Sequence, residues 1–386
     1  MSDATLETPV SGAAASDLVD SKPIDTLTPR QLAWRRFKRH RLAYASGIFL
    51  VFMYTMAALC EFVAPYGTDA RNVAAINAPP MSIRFIDDDG KFHLRPFVYG
   101  YDMQVNDDTW MREYTDNPTK HYPIQFFHRG ETYKMWDLFE ANLHLFGTEE
   151  GGYIHLFGTD QLGRDLFSRI MYGTRISLSI GVIGVVLTLF LGVLFGGLAG
   201  YLGGIVDRAV QRVIEVMLSL PTLPLWMALS AALPVEWSSI RIYFGVTIIL
   251  SLFGWTTLAR QVRGRFLALR EEEFVVAARL IGAGKLRVIF RHMLPSFMSH
   301  IITTATLAVP GMILAETALS FLGIGLRPPV VSWGVLMQQA QNYQVIVMTP
   351  WLLIPGLFVV MTVMAFNLLG DGLRDAADPY STGGQN

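Results

Sequence analysis

Polar and apolar residues follow one another along this chain in long blocks, and six apolar blocks approach or exceed the roughly 20 residues with which a helix crosses about 30 Å of hydrocarbon. They occupy residues 42–63, 176–201, 213–233, 242–259, 301–323 and 351–369. Pro221 and Pro224 interrupt the third, so a kink facing protein is expected there. Residues 64–158 lack any long apolar run and are rich in Asp, Tyr, Phe, His and Pro, with turn signals at Asp88-Asp89-Gly90 and Asn117-Pro118. Residues 92–99 alternate weakly and residues 126–133 could pair with them, which predicts a small water-exposed subdomain with short strands. Beyond it, Leu162, Leu166, Phe167 and Ile170 share one helical face. Asp160 with Arg164 and Asp165 with Arg169 form i, i+4 pairs on the other, so an amphipathic helix at the outer interface is expected before the chain enters the membrane.

The blocks imply an all-α polytopic membrane protein with six transmembrane helices and an extended external insert between the first and second. Residues 1–27 mix Ser, Ala, Thr and Asp without periodicity and are expected to be a disordered tail. Thr28-Pro29-Arg30-Gln31 is a capping box with proline at the first helical position, opening an amphipathic elbow at residues 28–41 whose Leu32, Trp34 and Phe37 can lie among lipid headgroups. The first transmembrane helix follows at 42–64 and remains as an anchor, because a polar leader precedes it. The insert and interfacial helix take 65–172, the transmembrane core 173–371 with a loop at 260–300, and a cytoplasmic tail 372–386.

Composition agrees with the pattern: 52% of residues are hydrophobic and only 16% charged, outside the range of soluble domains. The net charge of −1 hides an uneven distribution and gives no reason to expect nucleic acid. Six Lys and Arg residues from Arg30 to Arg41 precede the first block, Arg208 and Arg212 separate the second and third, and eight more lie from Arg260 to Arg291. The positive-inside rule places these segments and both termini in the cytoplasm. The insert is too long for that count to apply.

Candidate chemistry is sparse. The single Cys60 excludes an intrachain disulfide and is assigned only a packing role. His93, His121, His128, His144 and His155 match no metal-ligand spacing. No phosphate-cradling loop, zinc-protease motif or nucleophile elbow is present, so this chain is expected to bind no cofactor, and if transport is powered the engine is on another chain. Gly192, Gly196, Gly200 and Gly204 form a stripe in the second block, supplemented by Gly181, Gly184 and Gly197, where another helix can approach closely. Glu316 lies near the centre of the fifth block. A carboxylate there costs a few kcal/mol unless it meets water or a partner, so it is a candidate for a pathway or gate, or else is hydrogen-bonded to Thr317, Ser320 or a neighbouring helix. The strongly basic stretch between Arg260 and His300 reads as two short helices about a glycine turn, the first from Arg270 to Ile281, the second stopped by Pro295.

That stretch resembles the coupling loop of binding-protein-dependent ABC importer permeases, with Ala277, Ala278, Gly282, Leu294 and Pro295 at matching positions; Val276 stands where the family often has Glu, and His292 where it often has Ile. The resemblance narrows to the C-type subunits of dipeptide, oligopeptide and nickel permeases. The residues carrying it are the segment from Phe157 to Arg169, Glu316-Thr-Ala-Leu-Ser-Phe-Leu-Gly-Ile-Gly325, Ser332-Trp-Gly334 and the segment from Asn367 to Asp375. It implies a type I ABC importer permease fold and ATPase coupling through Glu273, Phe274, Ala277, Ala278, Arg279, Gly282, Leu294 and Pro295, with Ala277 and Ala278 forming a small-residue face for a groove on the ATPase.

The same resemblance implies the partners: a homologous permease subunit in a heterodimer, two cytoplasmic ABC ATPases, and an extracytoplasmic solute-binding protein, all at a bacterial inner membrane. Di- and oligopeptides are the expected cargo, with oligosaccharides or peptide-like antibiotics as alternatives. A freestanding channel or secondary carrier and a membrane-anchored sensor are the readings from other classes; the first lacks the several buried ionisable groups a carrier uses.

Overall fold

A computed structural model describes residues 28–107, 110, 112–149, 151–234 and 236–377. The expected disordered tail at 1–27 lies outside them. Thr28 caps α1 (Pro29–Arg39): its hydroxyl accepts from the Gln31 amide while its own amide donates to Gln31 Oε1 at 3.0 Å. Trp34 stays exposed, but Phe37 turns inward onto Ala43 and Ala376 rather than toward lipid. α2 (Arg41–Ala58) breaks at Leu59, and one further turn, α3 (Cys60–Val63), completes the first apolar block.

The insert folds as two antiparallel sheets. β1 (Arg84–Ile86), β2 (Phe92–Val105) and β3 (Arg112–Pro123) form one, β4 (Gln125–Met135) and β5 (Phe139–Gly147) the other. The expected pairing of 92–99 with 126–133 does not occur: each segment pairs with the strand next to it in sequence, which costs the least loop closure. The turn expected at Asn117-Pro118 is a bulge inside β3, because Tyr99 faces His121 while Gly100 faces Asn117.

The expected interfacial helix is also absent. Residues 155–165 form an irregular loop, and the helix begins only at Leu166. Gly158 and Gly163 take φ of +74° and +71°, and the Asp160 carboxylate accepts from the Leu162 and Arg164 amides, giving the backbone an alternative to helical hydrogen bonds. Asp165 does not pair with Arg169; it caps α4 (Leu166–Leu202) through the Ser168 amide at 2.7 Å.

α4 holds 37 residues in one helix of about 55 Å. Its glycines pack where expected: added methyls at Gly192, Gly196 and Gly200 would strike Leu258, the Ala259 carbonyl and Phe266 of α7 (Ser239–Leu269), described below. Gly204 is not part of that stripe. With Gly203 it forms a corner at φ of +65° and +59° that starts α5 (Gly204–Ser219), and α6 (Thr222–Ala231) then leaves at 88°. Pro221 sits at the corner and Pro224 in the first turn of α6, where no intrahelical donor is required. The kink expected to face protein is exposed in this chain, with Leu220 and Leu223 at the surface.

α7 is followed by α8 (Glu273–Leu280), α9 (Lys285–Arg287), a π-helical turn (Val288–Met293) and α10 (Leu294–Ser296). Next come α11 (Met298–Phe321), the short α12 (Trp333–Gln338) and α13 (Tyr343–Met348), and finally α14 (Ile354–Ala377), which continues past residue 371, where a tail was expected. Among the described residues five helices are long and apolar enough to cross a membrane, six if α5 and α6 make one bent span. The main core is built by α2, α4, α7, α11, α12 and α14, with Leu178, Ile180, Leu250, Ile313, Leu319 and Trp333 sealed inside it.

Candidate functional sites

The basic bend places its residues on two faces of one short helix. Arg270 ends α7, Glu272 is extended, and α8 has eight residues rather than the dozen expected from Arg270 to Ile281. Glu273 lies exposed in its first turn, where a carboxylate suits the helix dipole. Val275 and Ala278, three apart, are buried against Phe266, Val288, Ile289 and Met293. Phe274 and Ala277 are exposed, and Leu280 and Ile281 beyond them are more than 80% exposed.

Ala277 and Ala278 therefore do not form a common small-residue face: neighbours on a helix point about 100° apart, and only Ala277 is available to a partner. Arg279 lies over the Tyr201 ring at 4.9 Å, tying α8 to the end of α4. Gly282, at φ of +81°, closes the helix. Its amide donates to the Arg279 carbonyl and the Ala283 amide to the Ala278 carbonyl, both at 3.0 Å, a Schellman cap. Leu294 is half-buried on the same base. Pro295 is exposed and does not stop the second helix: it follows the π-helical turn, helical backbone continues to Ser296, and the break comes at Phe297.

Glu316 is wholly enclosed on α11. Its carboxylate accepts from the hydroxyls of Ser320 (2.8 Å) and Ser332 (2.7 Å), with Ser177 of α4 at 3.5 Å. Each serine in turn takes a backbone proton: Ser320 from Leu326, Ser332 from Val335 and Ser177 from Trp333. Thr317, expected as a partner, has no hydrogen bond to its hydroxyl among the described residues. Gly325 and Gly334 lie so close to Ser320 and Thr317 that a methyl group would collide. One carboxylate thus holds α4, α11 and the start of α12 together.

A second polar knot stands at the entry to α4. Asp160, fully buried, meets Arg164 Nε at 2.8 Å and Arg169 Nη1, while Asp165 meets His155 Nδ1 at 3.1 Å and the Ser168 hydroxyl at 2.7 Å. The Thr159 carbonyl accepts from Trp351 Nε1 at 3.0 Å, which ties the knot to the start of the last span. Between this knot and the insert lies a cleft of about 630 Å³, bordered by Tyr66, Arg71, His128, Glu131, Tyr153 and His155. Among the described residues no three His, Cys, Asp or Glu side chains converge as metal ligands would.

A third pairing joins the first two apolar blocks. Glu61, inside the first apolar block, and Arg175, at the edge of the second, form a two-pronged ion pair. Trp136 of the insert lies over Arg175 at 4.1 Å and donates to the Ala58 carbonyl at 3.0 Å. Two opposite charges at the ends of adjacent apolar blocks invite pairing.

Residues 192–381 match the family of binding-protein-dependent transport system inner membrane components, and residues 28–80 match the N-terminal transmembrane domain of oligopeptide transport permease C. Residues 81–191, with most of the insert, fall between the two matches. The dipeptide transport system permease protein DppC of Bacillus subtilis is 33% identical over 362 residues, covering 93% of this chain and 88% of that protein. The oligopeptide transport system permease protein OppC of the same organism is 39% identical over 226 residues, 58% of this chain and 72% of that protein. Five or six spans, the capped bend and matches along nearly the whole length agree, and the chain belongs to the OppC/DppC-like family of ABC importer permeases.

Proposed function

We propose that this chain is the C-type permease subunit of an ATP-driven, binding-protein-dependent importer of di- or oligopeptides, and that α8 is the helix by which ATPase subunits move it. The observation that carries the reading is the apolar crest of Phe274, Ala277, Leu280 and Ile281, standing in water on a short helix whose other face is locked to the ends of α4, α7 and α11. Apolar side chains this exposed lose favourable burial unless a partner covers them. A partner groove that grips the crest would displace α8, its base and those long helices together, the kind of rigid-element motion that opens one side of a cavity and closes the other. The C-terminal turn of α8 carries Arg279, and the bend as a whole is basic, which fits the cytoplasmic side.

Other exposed surfaces fit the remaining subunits. The bent α5–α6 pair presents Val213, Val216, Leu220 and Leu223, a face suited to a homologous permease subunit. The insert would face the solute-binding protein. Peptide cargo is favoured because the relatives that match are peptide permeases by name. ATP and Mg would be held by the ATPases.

The test is Ala277→Arg, on the exposed side of α8, in a co-expressed importer. The variant is expected to insert normally and to lose the ATPases on purification, together with ATP-dependent uptake of labelled peptides. Retained ATPases with full uptake would overturn the reading. Uptake of labelled oligosaccharides in place of peptides would overturn the cargo alone. Ala278→Arg is a poorer probe, since its side chain would enter the buried base and disturb folding.

A further inference from the structure

We propose that the turn joining β4 to β5 is a lipid anchor, resting its apolar side chains in the headgroup region beside the end of α2. The 18 residues of α2 span about 27 Å, close to the thickness of a hydrocarbon core, so Ala58 marks the level where core meets headgroups.

The turn is fixed at that level. Trp136 donates its indole N–H to the Ala58 carbonyl at 3.0 Å and its amide to Glu61 Oε1 at 3.4 Å, while its ring covers Arg175. Phe127 of β4 approaches Phe62, one turn beyond α2, at 6.3 Å between rings.

The turn's conformation is unusual for its residues. Leu138 N–H donates to the Met135 carbonyl at 2.9 Å, and the two central residues, Trp136 and Asp137, take φ of 53° and 58°. Gly or Asn ordinarily fills such positions, and a bulky residue there is held by its surroundings. The contacts to Ala58, Glu61 and Arg175 supply that hold, and they leave Leu138 82% and Phe139 59% exposed.

Lipid is the occupant that the position selects. The turn is tied to the end of α2 through the Trp136–Ala58 bond, and the exposed flank of that helix, Ile48, Val51, Phe52 and then Leu59, is apolar as a lipid-facing surface must be. Trp136 half-exposed at the boundary and Lys134 beside it are the side-chain types that settle where apolar core gives way to water. Leu94 of β2 and Trp110 of the β2–β3 connection are as exposed, and among the described residues neither has a comparable tie to a span, so they provide contrast.

The test uses the assembled importer in nanodiscs, in a Cys60→Ala background, with an environment-sensitive fluorophore at Leu138→Cys. Leu94→Cys is the water-exposed control and Val51→Cys the lipid-facing one. Nitroxide-bearing lipid is expected to quench position 138 several-fold more than position 94 and nearly as strongly as position 51, with aqueous iodide giving the reverse order. Iodide quenching at 138 equal to that at 94 would overturn the proposal. Protection of 138 from both quenchers would also overturn it, because a protein partner would then cover the turn. If Leu138→Cys fails to assemble, Phe139→Cys carries the same expectations.

Discussion

The basic bend and the Glu316 knot both lie in segments that resemble the same permease family, yet they treat their side chains in opposite ways. At the bend, Phe274, Ala277, Leu280 and Ile281 are exposed, and none of the described residues covers them. At the knot, Glu316, Ser177, Ser320 and Ser332 are shielded and satisfy one another. A motif of exposed apolar groups needs a second molecule to explain it, whereas a motif of buried, mutually bonded polar groups is explained by the fold itself. The knot at Asp160 belongs with Glu316 by this criterion.

Substitutions at three positions test that division. The largest effect is expected for Asp160→Ala, which strands Arg164 and Arg169 in a buried site; breaking such a pair costs about 3–5 kcal/mol. The protein should be lost from the membrane or show a sharply lowered thermal midpoint, and a wild-type midpoint would remove the knot from the architecture.

Glu316→Ala comes next, removing the acceptor shared by the serine hydroxyls at a cost of about 1–3 kcal/mol for groups left unpaired. Glu316→Gln keeps an acceptor oxygen and should lie between Ala and wild type in thermal stability, with uptake following stability in all three. Uptake lost in the Gln variant at unchanged stability would instead make Glu316 part of a gate.

The smallest effect on folding is expected for Gly282→Ala. A methyl meets no neighbour there, and only the left-handed backbone disfavours it, by about 1 kcal/mol. Insertion and thermal midpoint should barely move while ATPase coupling weakens, measured as ATP hydrolysis stimulated by cargo-loaded binding protein. A change in midpoint without a change in coupling would place Gly282 with the buried knots.

The apolar blocks, the capping box at Thr28 and the close-packing glycines of α4 were legible because each depends on local periodicity or on a single residue's stereochemistry. The strand pairing in the insert follows the shortest loop closure, which alternation alone does not encode, and the loop before α4 departs from the expected helix for a local reason. Asp160 with Arg164 and Asp165 with Arg169 satisfy a helical spacing rule, but two positive-φ glycines and an aspartate that bonds the backbone amides of its own loop outweigh surface ion pairs worth about 0.5 kcal/mol each. The joint role given to Ala277 and Ala278 failed on geometry, since adjacency in sequence separates side chains on a helix.

From the sequence alone came the membrane class, the approximate position of every span, the basic bend and the residues that carry the family resemblance. These follow from hydropathy and short-range stereochemistry, which act through neighbours along the chain. Only the tertiary structure decided that Glu316 is enclosed by serines from three segments, that Glu61 meets Arg175, and that one alanine of the bend faces inward and the other outward. Those outcomes depend on which helices lie side by side, and partners 114 or 139 residues apart leave no periodic trace in the sequence.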